Sequence, residues 1–203
     1  MQYKFLINDF RLLRRNLLHD LLRQRENAHT YTFIKALISN TSFKICFWFR
    51  VCQYLSKYNI AILSTISKLI YRHYQFKTGI QIDLDTNINE GLSIAHFSCI
   101  VISAKSIGRN FTIMQGCTIG SQRGGKKAGI PTIGNNVVVC AGAKVIGNIK
   151  IGNNVMIGAN AVVVSDIPDN AVCAGIPAQI INMNGIEKTS YHYERNRNIN
   201  NLL

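Results

Sequence analysis

Glycine is missing from the first 78 residues; all 15 glycines fall at Gly79 or later. Proline is scarce too, three in 203 residues and none before Pro131. A segment without either residue lacks the punctuation that turns and breaks require, and it suits helices. Acids are few: ten Asp and Glu stand against 23 Lys and Arg, for a net charge of +13. The cysteines (Cys46, Cys52, Cys99, Cys117, Cys140 and Cys173) show no CxxC or other paired motif. That excludes a disulfide framework and leaves small buried hydrophobes in a reducing compartment. The longest uncharged run of the first 78 residues, Tyr58–Ser67, has ten residues, against the ~20 that span a bilayer. Charges throughout the first thirty residues exclude the apolar core of a secretory signal. The expected location is cytoplasmic.

What is present is unevenly placed. Residues 1–78 hold 13 Lys and Arg against three acids, a balance of +10, whereas residues 79–203 carry only +3. Charge and glycine content change together, so two architectures meet near Lys77–Gly79. The reading is a basic α-helical region over 1–78, a second domain over 79–181 and a polar tail over 182–203.

An aliphatic residue recurs every six positions at Ile82, Ile88, Ile94 and Ile100. After one extra residue Ile107, Ile113 and Ile119 follow, and after a longer interruption Ile133, Val139, Val145, Ile151, Ile157 and Val163. A period of six fits neither a helix nor an alternating strand. It fits a triangular coil in which each hexapeptide forms one side, its aliphatic residue points inward, and stacked turns bury a continuous ladder. Thirteen positions make about four coils. Gly follows the aliphatic residue at Gly108, Gly120, Gly134, Gly152 and Gly158, and small or apolar residues follow four positions on.

This pattern resembles the hexapeptide-repeat acyltransferases, whose fold is a left-handed parallel β-helix. The resemblance covers residues 80–181, and the closing segment Asp166–Ala171 through Ala174–Ala178 is similar to the family's terminal turn. Within the family the chain looks closest to serine acetyltransferases and to enzymes that acetylate capsular or other surface sugars. The resemblance implies acetyl-CoA as cosubstrate, no metal, and a homotrimer with acetyl-CoA in the groove between neighbouring helices.

Only one histidine, His96, falls inside the repeat. Two residues after inward-facing Ile94, it should face outward, and transfer from a thioester to an alcohol needs a base of near-neutral pKa. The resemblance places the catalytic histidine at His96. Serine acetyltransferases have an acid just before it, where this chain has Ala95. They also carry a second histidine beside an arginine, where it has Ala128-Gly129-Ile130-Pro131. Those groups hold the amino acid's charged ends, so the expected acceptor is a sugar hydroxyl of a surface or capsular polysaccharide or its precursor, with serine as the alternative. Asp83, Asp85 and Glu90 are the candidates for orienting His96.

The step from Ile119 to Ile133 is 14 rather than six, so about eight residues loop out, carrying Arg123, Lys126 and Lys127 toward CoA phosphates or an acidic sugar. The family's acetyl-CoA contacts map to Gly120, Ser121, Ala141 and Ala159. The terminal turn has Gln179 where Lys or Arg is frequent. Three histidines around zinc, as in hydratases of the same fold, are lacking. In residues 1–78, helices are expected over Phe10–Gln24 capped by Asn8 or Asp9, from Thr30, from Thr41, and over Ile60–Phe76. They read either as a cap on the first coils that helps subunits associate or as a basic amphipathic surface on anionic lipid. Nucleic-acid binding lacks a recognised motif.

Overall fold

The computed structural model of the chain describes residues 2–25, 28–58 and 60–185; most of the expected polar tail lies outside the described residues. Four helices come first: α1 (Gln2–Leu22), α2 (Thr30–Ser39), α3 (Thr41–Lys57) and α4 (Ala61–Thr78). α1 begins upstream of the expected cap, so Asp9 sits inside the helix and its carboxylate instead meets Lys57 and Tyr58 of the α3 end. Asn40 caps α3 by accepting from the Phe43 N–H at 3.0 Å. Gly79, at φ +68°, ends α4 in the left-handed conformation that glycine adopts without strain.

From Ile80 the chain winds as a three-faced parallel β-helix of about five turns. The first face stacks Ile80–Ile82, Ile100–Ile102, Thr118–Gly120, Lys144–Ile146 and Val162–Val163. The second stacks Asn87–Ile88, Ser106–Ile107, Thr132–Ile133 and Lys150–Ile151, and the third runs from Ser93–Ile94 to Val172–Gly175, with Ala178–Asn182 turning back antiparallel to close it. All thirteen ladder residues are buried, which follows from the hydrophobic gain of stacking them. One turn more than the expected four exists because buried Ile167 and Cys173 carry the ladder through the terminal turn.

The register differs at one corner. Ile82 stacks on Ile102, and Ile102 on Ile119, while Ile100 pairs with Ile80. Both isoleucines of Ile100-Val101-Ile102 therefore point inward, with Val101 outside, so a long step of eight from Ile94 to Ile102 is followed by a short one of five to Ile107.

The helices cover the open first turn, whose backbone groups have no turn above them. Tyr71 Oη donates to the Ile82 carbonyl at 2.8 Å, and Gln53 Nε2 to Leu84 and Thr86 at 2.9 and 3.0 Å. Arg50 donates to the Ile88 and Asn89 carbonyls, and the Asp20 carboxylate accepts from the Gly91 and Leu92 N–H groups at 2.9 and 2.7 Å. Asp20 and Arg50 also pair with each other at 3.1 Å, both buried. Pairing and hydrogen bonding together are what let two charges stay in an interior.

Candidate active site

His96 lies on the edge where the third face turns into the first. In later turns the stacked residues flanking this edge are six apart, as in Ile113 and Ile119, or Val139 and Val145. Around His96 they are eight apart, Ile94 and Ile102. Two extra residues therefore swell this corner, and Ala95 through Cys99 are all exposed. Cys99 takes a left-handed φ of 49° to bring the chain back. Below it the edge continues through Gln115-Gly116, Ala141-Gly142 and Ala159-Asn160. Gly116 N–H donates to Ser98 O at 3.0 Å, Gly142 to Gln115 at 2.9 Å and Asn160 to Ala141 at 2.9 Å. The structure thus puts His96, Ala141 and Ala159 in one column.

The other expected contacts lie on the edge between the first and second faces. Gly120 ends its strand there, and the eight extra residues form a hairpin closed by paired Gln122 and Gly129, whose N–H groups each donate to the other's carbonyl at 3.0 and 2.9 Å. Arg123 and Lys126 are exposed on its tip. Lys127 is drawn back to the coil, its ammonium 3.2 Å from Asp166 and its carbonyl accepting from Asn148 N–H at 2.8 Å. Asp83 and Asp85 head the same edge, where Asp83 accepts from Ser103 Oγ at 3.3 Å and from the Asp85 N–H at 3.1 Å. Glu90 sits on the third edge, 3.6 Å from Arg15. Among the described residues none donates to or accepts from the His96 ring.

One pair escaped the sequence reading. Asp20 and Arg50 grip residues 88–92, the stretch leading to the His96 corner; their only sequence signal is a charge on an otherwise apolar helix face. Cys117 is buried in the column below His96, its Sγ donating to the Cys140 carbonyl at 3.0 Å, and burial pushes its thiol up. That environment removes it as a nucleophile.

Residues 130–165 match the family model described as bacterial transferase hexapeptide (six repeats). The serine acetyltransferase of Staphylococcus xylosus is 43% identical over 132 residues, 63% of this chain and 60% of that protein. That of Synechococcus elongatus is 36% identical over 156 residues, 75% of this chain and 62% of that one. The crystal structure of the Neisseria gonorrhoeae serine acetyltransferase in complex with serine superimposes with a TM-score of 0.71 at 26% identity, covering 89% of this chain and 73% of that one. The chain thus spans about 60% of the length of the curated relatives it matches.

These relatives correct the expected acceptor. A sugar or polysaccharide is the acceptor expected from the groups missing at Ala95 and along Ala128-Gly129-Ile130-Pro131, yet the relatives and the solved structure that this chain matches are serine acetyltransferases. The inference failed because missing side chains report what does not hold the ligand, not what does. Its repeat matches the hexapeptide transferase model over residues 130–165, and the chain as a whole is similar to serine acetyltransferases.

Proposed function

We propose that this protein is an acetyl-CoA-dependent O-acetyltransferase acting on the hydroxyl of serine, with His96 as general base and each site formed between two copies of the chain. The observation that carries this reading is the expanded, exposed His96 corner at the head of an edge whose following corners, Gln115-Gly116, Ala141-Gly142 and Ala159-Asn160, each hold a small residue. Small residues over three further turns, each ~4.8 Å apart, leave a shallow track on which a narrow pantetheine arm fits against the main chain. When bound, acetyl-CoA supplies the acetyl thioester. His96 takes the hydroxyl proton as that oxygen forms its bond to the acetyl carbon, then returns the proton to the sulfur whose bond to the same carbon breaks. Main-chain N–H groups of the track stabilise the oxyanion.

Gly120, Ser121 and the cationic hairpin lie one face away, up to ~20 Å of extended chain from the His96 edge. They serve the same acetyl-CoA if that edge of one copy meets the His96 edge of the next, and closed threefold symmetry supplies three such grooves. Arg123 and Lys126 then face the CoA phosphates. Asp83 arrives from the same side, with a carboxylate for the serine ammonium or for the His96 ring. The test is mass detection of O-acetylserine from purified protein with acetyl-CoA and L-serine. His96→Ala should lower turnover ~10²–10⁴-fold while leaving acetyl-CoA affinity unchanged. Absence of O-acetylserine, or a variant retaining more than a tenth of the turnover, overturns the reading.

A further inference from the structure

α4 is built inside out. The side it turns to the protein carries Ser64, Ser67, Tyr71 and Thr78, all buried. The side it turns outward carries Ile62, Ile66, Leu69 and Phe76, with Leu63 beside them, at exposures of 76, 48, 63, 76 and 52%. Steps of three, four and seven put these on one stripe, interrupted by exposed His73. Exposed Lys68, Arg72 and Lys77 flank the stripe, with the Arg72 guanidinium 5.5 Å from the centre of the Phe76 ring. The helix contains no acid.

A helix of a globular protein normally buries such a stripe, and a contiguous apolar surface left outside marks a contact. We propose that this face lies on the surface of a bilayer containing anionic lipid, α4 resting in the interfacial plane over its ~27 Å length. None of the helices, among the described residues, is long and apolar enough to cross a membrane, so the contact is along the surface. Charge selects this occupant over a face-to-face contact between the α4 helices of two copies. Two α4 faces brought together would oppose Lys68, Arg72 and Lys77 of each with no acid in either helix to pair them, and like charges across an interface are costly. Nor does a neighbouring helix supply one: Asp9 already meets Lys57, and Asp20 is buried on Arg50. Anionic headgroups meet the cations while the acyl boundary takes the stripe.

Co-sedimentation of the full chain with vesicles tests this, comparing phosphatidylcholine alone with a mixture of about one-third phosphatidylglycerol. Binding is expected to the anionic vesicles only and to weaken with salt. Ile66→Glu with Leu69→Glu should abolish it without altering the thermal melt, because both side chains are exposed in the free protein. Lys68→Gln with Lys77→Gln should weaken it about 25-fold, about fivefold per cation, with the stripe untouched. Equal binding to both vesicle types, or binding unaffected by either variant pair, overturns the proposal. So does a wild-type chain that ignores vesicles but loses a self-association by sedimentation velocity when Ile66 and Leu69 are replaced.

Discussion

A single asparagine column shows how individual residues hold the coil together. Asn110, Asn136, Asn154 and Asn170 occupy the same corner of successive turns at φ values of 57, 56, 57 and 62°. Each amide donates to the next, at 3.0, 2.8 and 2.9 Å. Asparagine tolerates the left-handed region better than other non-glycine residues, and here its amide also bridges turns. Asn136→Ala should therefore lose two ladder bonds of about 1 kcal/mol each and add left-handed strain of about 1 kcal/mol. Asn136→Gly should lose only the bonds. Urea unfolding of the two variants checks the order, and equal destabilisation would show that backbone strain is negligible here. The glycine after five of the aliphatic residues was legible in the sequence, and at Gly134 its reason is steric: a Cβ there would come within 2.7 Å of the Gly152 carbonyl. The asparagine column was not, because it falls between the six-step markers and reads as ordinary loop polarity.

Among the elements, the helical cap and the hairpin show two different kinds of anchoring. Four helix side chains satisfy the carbonyls and N–H groups of the open first turn, and the Asp20–Arg50 pair is the buried centre of that contact. Asp20→Ala would strand Arg50 in the interior, and breaking a buried pair typically costs about 3–5 kcal/mol. Tyr71→Phe should cost about 1 kcal/mol through the unpaired Ile82 carbonyl. Thermal melts of both variants test whether the pair outweighs the single bond. The hairpin, by contrast, is tied at the surface. The Lys150 N–H, and after it Lys127, hold the Asp166 carboxyl below the usual carboxylate range. A lowered folded-state pKa means that the anchor is complete through neutral pH and is lost only as pH falls below that ordinary range. Hydrogen exchange of residues 122–129 should therefore stay protected from neutral pH down to mild acid in the wild type. In Asp166→Asn it should be raised across that whole range.

At the scale of the whole molecule, the sequence disclosed the architecture more fully than the acceptor. Thirteen aliphatic residues and the eight-residue excursion after Ile119 were both visible, because each follows from a period or a break in it. The swollen His96 corner was misplaced, since Ile100 and Ile102 both suit the ladder and only pairing with Ile80 and Ile82 tells them apart. The acceptor was misread because the side chains absent at Ala95 and along residues 128–131 say nothing of the groups that would hold a ligand.

If a site joins the His96 edge of one copy to the Gly120 edge of the next, a variant dead on one edge should be rescued by a variant dead on the other. Gly120→Trp is suited to the second role, because a Cβ there makes only ordinary contacts, 3.7 Å from Thr118 and 3.9 Å from Ile146. The ring would project into the groove without unseating the coil. His96→Ala and Gly120→Trp should each be nearly inactive alone. Coexpressed and mixed at random in closed threefold rings, a site is intact when it draws His96 from one variant and Gly120 from the other, so about a quarter of sites recover. Two differently tagged copies, purified in tandem, isolate the mixed assemblies. A site contained within one copy would show no recovery in those assemblies, because every chain in them carries one lesion.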